Sequence, residues 1–444
     1  MQPNRRQQMI SAVFAFVSWM VLLGGSASGV TGHSVFSFNY ANGTGYGTGL
    51  TVDESGNIWG TSYSGGAYEY GNVFELTRNT AGQWTETVLY SFTGGSDGEN
   101  PIDDDGPLVD SAGNLYGTTV YGGTWGAGTV FKLTRGLSGW QESVLWNFTC
   151  RNDGCDPAAS LVSDSAGNLY GTTFAGGPGG FGHGTVFMLS PDGNGNWQET
   201  TLHNFSGKAD GAGPLSALVL DRSGNIYGTT SAGASSYCVG GCGVIFKLTP
   251  EVSGGWDEQV LYFFKGGKDG SFPIGKLVFD VWGNIYGVAQ AAGDISCSYG
   301  YAPGCGTVFR LAQPKSADGQ WYLSTLHVFT GSSDGASPSA GLIVDKTGAL
   351  YGTAFGGSNG KCPSNFSTTP GCGTLYHLEP TLHGTWNFET LYSFSGTADG
   401  GEPLKVAFDG SMVYIPTSVG GSTDNYRCRF GGCGTIFQLS MTSQ

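Results

Sequence analysis

Basic residues are scarce in this sequence. Lys and Arg number 19 against 34 Asp and Glu in 444 residues, giving a formal net charge of −15. Phosphate backbones are held by basic stripes, so this balance excludes a nucleic-acid partner. It also excludes a surface that clings to anionic lipid. Long apolar runs are missing after the first two dozen residues, so no membrane span is expected beyond them. Two catalytic signatures are absent as well: there is no Gly-x-Ser-x-Gly elbow and no phosphate loop with its Lys. Gly176-Gly177-Pro178-Gly179-Gly180 lacks the Lys-Ser/Thr that would complete such a loop. The six His residues show no metal-ligand spacing.

Gly is abundant, at 79 residues, and aromatics reach 13%. Gly-rich disordered chains lack aromatic and β-branched residues, which are plentiful here. The mixture reads as many short strands joined by tight turns. Residues 1–28 read as a signal peptide. Arg5 and Arg6 form a positive start, Met9 to Leu23 is apolar, and Ser26-Ala27-Ser28 offers small residues for cleavage. Residues 29–444 are then expected to form one secreted domain, with no membrane span left after cleavage and no second copy needed.

Internal repeats set the fold. Four signatures recur in fixed order. The first is an apolar run ending at Asp, as in Leu108-Val109-Asp110. The second is Asn-Leu/Ile-Tyr-Gly-Thr, centred on Trp59, Tyr116, Tyr170, Tyr227, Tyr286, Tyr351 and Tyr414. The third is Gly-Thr-Val-Phe-x-Leu, centred on Phe74, Phe131, Phe187, Phe246, Phe309, Tyr376 and Phe437. The fourth, Trp-x-Glu-x-Val-Leu-Tyr-x-Phe, ends at Phe92, Phe148, Phe205, Phe264, Phe329 and Phe394. Seven units of four strands predict an all-β fold, a seven-bladed β-propeller with four-stranded blades. The last unit lacks its fourth strand, and Ser34 to Phe38 matches that strand with nothing before it. The N-terminal strand is therefore expected to complete the last blade and close the ring. Gly117 is expected to leave room for a ring from the adjacent blade. The Asp-x-x-Gly-Asn segments, such as Asp110 to Asn114, suit tight turns capped by the carboxylate.

With strands named a to d from the channel outward, the b–c and d–a loops share one face. The b–c loops vary most in length, and variable loops on a rigid scaffold usually carry binding. Ten cysteines form five local pairs: Cys150/Cys155, Cys238/Cys242, Cys297/Cys305, Cys362/Cys372 and Cys428/Cys433. All map to that face and read as disulfides of an exported chain. Each closure contributes about 2–3 kcal/mol in the chain-entropy model. Zinc would need thiolates gathered in fours, which separate blades keep apart.

Asp-Gly recurs in six d–a loops, at Asp97, Asp153, Asp210, Asp269, Asp334 and Asp399, each followed by a Pro. These carboxylates either cap turns or offer acceptors to a ligand. Tyr121, Trp125, Phe181 and Tyr299 add aromatic surface for stacking. Asp103-Asp104-Asp105 is an extra acidic insertion, read as a solvated loop or as oxygen ligands for Ca²⁺. No other cofactor is expected, and no catalytic residue is assigned.

The strings Gly-Asn-Leu-Tyr-Gly-Thr-Thr, Gly-Thr-Val-Phe-Lys-Leu and Val-Leu-Tyr-Ser-Phe-Thr-Gly-Gly-x-Asp-Gly resemble the GloVer tandem-repeat proteins, also called choice-of-anchor repeat proteins. The resemblance spans nearly all of the chain after the leader. It implies an exported bacterial repeat protein and supplies no catalytic residues. Two functions compete. One is an extracellular binding scaffold for a glycan or protein on the loop face. The other is a propeller enzyme, lyase-like or glycoside-hydrolase-like, with acid–base groups converging at the channel mouth.

Overall fold

The four recurring signatures fold as the four strands of a blade. The computed structural model describes residues 32–440, apart from 104, 179–181, 235–237, 300–301, 317–318, 359–361, 363–370, 422–427 and 429–430. The leader 1–28 lies outside the described residues. In the second blade, strand a ends in Leu108–Val109, strand b is Leu115–Tyr121, c is Thr129–Gly136 and d is Gly139–Asn147. The pairing is antiparallel throughout, in the order a, b, c, d. Seven such blades make a ring: the chain is an all-β seven-bladed propeller.

Strand a is longer than its sequence signature. It also includes a segment directly after Asp-Gly, so that Glu99–Pro101 pairs with the far end of strand b. In the fifth blade the two pieces fuse into Ser271–Phe279. The repeated Pro therefore ends the first piece of strand a rather than opening the strand. It packs over the Gly that precedes strand c of the previous blade. A Cβ on Gly71 would lie 2.6 Å from Pro101 Cδ, and one on Gly128 equally close to Pro157 Cδ.

Rings join the blades. The Phe ending each strand d meets the Phe or Tyr of the next blade's strand c edge to face. Phe92–Phe131, Phe148–Phe187 and Phe329–Tyr376 centroids all lie 5.1 Å apart. Such pairs add about 0.5–1.5 kcal/mol beyond the area they bury. Gly117 does make room for a ring, but the ring is Phe131 of its own blade, its direct cross-strand neighbour.

The ring closes as the strand count requires. Gly32–Ser37 pairs antiparallel with Thr435–Ser440, Phe36 opposite Ile436 and Ser37 opposite Thr435. Every d–c pairing carries one β-bulge at the same place, and this one shares it, between Ser34 and Phe36. Phe38 then meets Phe74 at 5.5 Å, as Phe92 meets Phe131.

Candidate binding face

The a–b turns are sealed by their own Asp residues. Asp110 accepts from the Ala112 and Asn114 backbone N–H groups, from Asn114 Nδ2 and from the Tyr116 hydroxyl. That leaves the opposite face, built from the b–c and d–a loops, as the surface with side chains to spare.

Its frame is rigid. The residue before the Gly that precedes strand c lends its carbonyl to the next blade in all seven seams. Tyr70 O accepts from Asn100 N, Ala127 O from Asp156 N, His183 O from Gly213 N and Cys433 O from Gly45 N. Cys242, Cys305 and Cys372 accept in the same way from Phe272, Ser337 and Glu402. Five of those donors are non-glycine residues at positive φ, between 53° and 60°. Backbone strain of this kind persists only where surroundings fix it, and here the inter-blade hydrogen bond does so.

The six Asp-Gly carboxylates lie one per seam, each bound to its own loop. Asp97 accepts from Thr93 Oγ1 at 2.5 Å, Thr93 N–H at 2.8 Å and the Tyr90 hydroxyl at 2.9 Å. Burial alone would raise the Asp97 carboxyl, but these donors outweigh it and hold it below the usual range. Asp210 and Asp334 are held low in the same way, burial opposing, by Ser206 and by His327 with Thr330. Asp153, Asp269 and Asp399 take the backbone N–H of Thr149, Lys265 and Ser395.

Five disulfides join Cys150–Cys155, Cys238–Cys242, Cys297–Cys305, Cys362–Cys372 and Cys428–Cys433. Cys150–Cys155 lies within the d–a loop that leads into the third blade, whereas two of the others share one position. The Cys238–Cys242 sulfurs lie over Gly266 of the following d–a loop, and the Cys297–Cys305 sulfurs over Gly331. In the first blade the Tyr70 ring covers Gly94 instead, and in the third the His183 ring covers Gly207. Cysteine thus plugs the b–c loops of the fourth and fifth blades, where Tyr70 and His183 do so in the first and third.

Among the described residues, several aromatics stand exposed on this face. Trp125 is 68% and Tyr121 43% exposed, both near the b–c loop of the second blade. Sequence reading missed Tyr46, Tyr68, Tyr70 and Phe174, which are also exposed on this face across the first three blades. The signal was present in Tyr63-Ser64-Gly65-Gly66-Ala67-Tyr68-Glu69-Tyr70, a b–c loop with three tyrosines and no cysteine. Tyr299 sits on a two-residue strand paired with Ala302–Pro303. Phe181 lies outside the described residues.

The acidic insertion reaches other blades. Asp105 of the second blade forms an ion pair with Lys276 of the fifth at 2.9 Å and another with Lys405 of the seventh. Its backbone N–H donates to Ser160 Oγ of the third, and Thr51 of the first donates to its carbonyl. Asp103 is fully buried and takes a long contact from the Thr118 N–H. Asp104 lies outside the described residues. Among the described residues, no three His, Cys, Asp or Glu side chains converge as a metal site would require. Among them too, no helix is long and apolar enough to cross a membrane.

A family model described as the Gloeobacter/Verrucomicrobia repeat matches residues 25–240 and 183–428. No curated protein matches the chain by sequence. Among solved structures, the polysaccharide lyase Uly1 is similar at 10% identity and TM-score 0.49, covering 94% of this chain and 93% of that one. A protein of unknown function from Dyadobacter fermentans is similar at 11% identity and TM-score 0.44, covering 93% and 99%. A luciferin-regenerating enzyme is similar at 12% identity and TM-score 0.43, covering 75% and 90%.

Proposed function

We infer that this chain, which belongs to the Gloeobacter/Verrucomicrobia repeat family, is an extracellular binding scaffold for a glycan. Five disulfides in loops support export to an oxidising compartment. One observation carries the binding reading. A sevenfold frame braced by disulfides presents a face on which rings such as Tyr46, Tyr68, Tyr121 and Trp125 stand exposed. A single ligand needs such blade-specific side chains, because a feature repeated in every blade serves the ring. Tyr and Trp rings give flat apolar area for the faces of sugar rings at low entropy cost. The inter-blade hydrogen bonds and disulfides hold that area in place before binding, which lowers the ordering cost.

The test is a polysaccharide and glycan array, followed by titration of the best ligand against the Tyr121→Ala/Trp125→Ala variant. Affinity is expected to fall about tenfold or more, the worth of two stacking rings. Binding that survives loss of both aromatics removes the reading. Assaying the same panel for new reducing ends or unsaturated products tests the enzyme alternative directly.

A further inference from the structure

Opposite the Leu of each strand c, strand d carries a residue that faces the preceding seam. In four consecutive seams it is a glutamate: Glu86 opposite Leu76, Glu142 opposite Leu133, Glu199 opposite Leu189 and Glu258 opposite Leu248. In the remaining blades the position holds Leu323, Phe388 and Gly32. Strand d here leans on the loop of the preceding Asp-Gly turn. Thr201 Oγ1 bonds both Glu199 Oε1 and the carbonyl of Asn152, next to Asp153. Ser34 of the closing strand makes the same bond to Ala398 O, next to Asp399.

Each glutamate therefore lies near the capping residue of that turn. Glu86 meets Asn42, which donates to its Oε2 at 2.7 Å. The other three lie within electrostatic reach of a carboxylate at the equivalent position. Asp97 acts on Glu142, Asp153 on Glu199 and Asp210 on Glu258. The remaining neighbours bring no strong cation. Tyr90 also faces Glu142, and Asp257 acts on Glu258 from its own strand. His203 lies 3.5 Å from Asp210, and burial pulls its imidazole below the usual value. Among the described residues, none of the four glutamates forms an ion pair with Lys or Arg. Oε1 of Glu86, Glu142 and Glu258 is out of water without a hydrogen-bond partner. Two carboxylates so placed cannot both ionise cheaply, and Asp97 and Asp210 are held low by their turn donors.

We propose that protonated glutamates hold these four seams, so that the ring is tighter in mildly acidic surroundings than at neutral or alkaline pH. In the first seam Asn42 stands in place of the aspartate, and its amide N–H favours the charged form of Glu86, so burial alone raises that glutamate. Burial lifts all four glutamates from 4.5 to about 7; the neighbouring aspartate adds to it at Glu142, Glu199 and Glu258, while hydrogen bonds from Asn42 and Thr201 oppose it at Glu86 and Glu199. The folded chain then holds more protons than the unfolded chain between those values. The stability they supply is complete below pH 4.5 and is lost as pH rises through about 7.

Melting temperatures of the full chain at pH 5, 6, 7 and 8 and fixed ionic strength test this. The parent is expected to melt several degrees lower at pH 8 than at pH 5. In the Glu142→Gln/Glu199→Gln/Glu258→Gln variant, that drop should shrink to about a quarter, since Glu86 alone remains. The variant should also melt above the parent at pH 8. A parent profile flat or rising from pH 5 to 8, or an undiminished drop in the variant, overturns the proposal. Infrared difference spectra of the unmodified chain serve if the triple variant fails to fold. Protonated carboxyl bands present at pH 6 and gone by pH 8 are expected, and their absence at pH 6 is equally fatal.

Discussion

Gly117 has ordinary backbone angles, so its small size answers a packing need and not a turn. A Cβ there would stand 2.6 Å from Phe131 Cζ and 2.5 Å from Asp103 Oδ2. Gly113, four residues earlier, is the opposite case: φ is 79° and nothing lies within 4 Å of a Cβ. Gly117→Ala should cost about 1–3 kcal/mol, since the ring must move inside a packed core. Gly113→Ala should cost about 1 kcal/mol through its backbone alone. Urea midpoints with unchanged slope check both, and equal effects would contradict the distinction. The sequence marked both glycines but could not name their neighbours. Alternation along a strand says which face a residue occupies, not which ring arrives there, so the ring beside Gly117 is expected from the adjacent blade and comes instead from Phe131 of its own. The exposed tyrosines were legible only in part for the same reason. Tyr68 and Tyr70 sit in a loop, and nothing in a loop's spacing tells an exposed ring from one that folds back.

The elements were far more legible, because each strand type has its own string and the count of strings closes only one way. Six complete units, one unit short of its last strand and one unpaired strand at the start leave a single vacancy. The structure fills it with Gly32–Ser37, against the expected Ser34 to Phe38, and the closing pair shares the bulge of every other blade. Strand a was legible only at its Leu-Val-x-Asp end. Its other half, such as Glu99–Pro101, is three residues long and ends in Pro, which reads locally as a turn. Removing residues through Ser37 should uncover the edge of Thr435–Ser440, including the N–H and C=O groups now paired with Gly32 to Ser37. The truncated chain should melt lower and associate through that edge. Size-exclusion chromatography with calorimetry decides it, and an unchanged, monomeric, equally stable product would argue against the closure as a source of stability.

The whole ring is also tied across its middle, by contacts no local pattern could announce. Asp103 to Asp105 read as an acidic insertion with a choice between solvent and a cation. Sequence gives no sign that Lys276 and Lys405, from distant blades, converge on Asp105. All three side chains are largely withdrawn from water, and burial already pulls the Lys276 ammonium below its usual value. Asp105→Ala leaves two such ammonium groups without this carboxylate. Breaking a buried pair from one side costs about 3–5 kcal/mol, more than the pair contributes when intact. The variant should therefore lose about 3 kcal/mol in urea unfolding near pH 7. The sign of its pH dependence is fixed as well. A lysine held low in the folded state binds fewer protons than in the unfolded chain, so stability rises with pH as that lysine discharges. The deficit of Asp105→Ala relative to the parent should shrink from pH 7 to pH 9. Adding Lys405→Met should restore part of the loss at pH 7, because an apolar side chain of similar length removes one of the two ammonium groups that faced Asp105. If Asp105→Ala unfolds at the parent's urea midpoint, the clasp is a surface ion pair of little worth, and the ring relies on its seams alone.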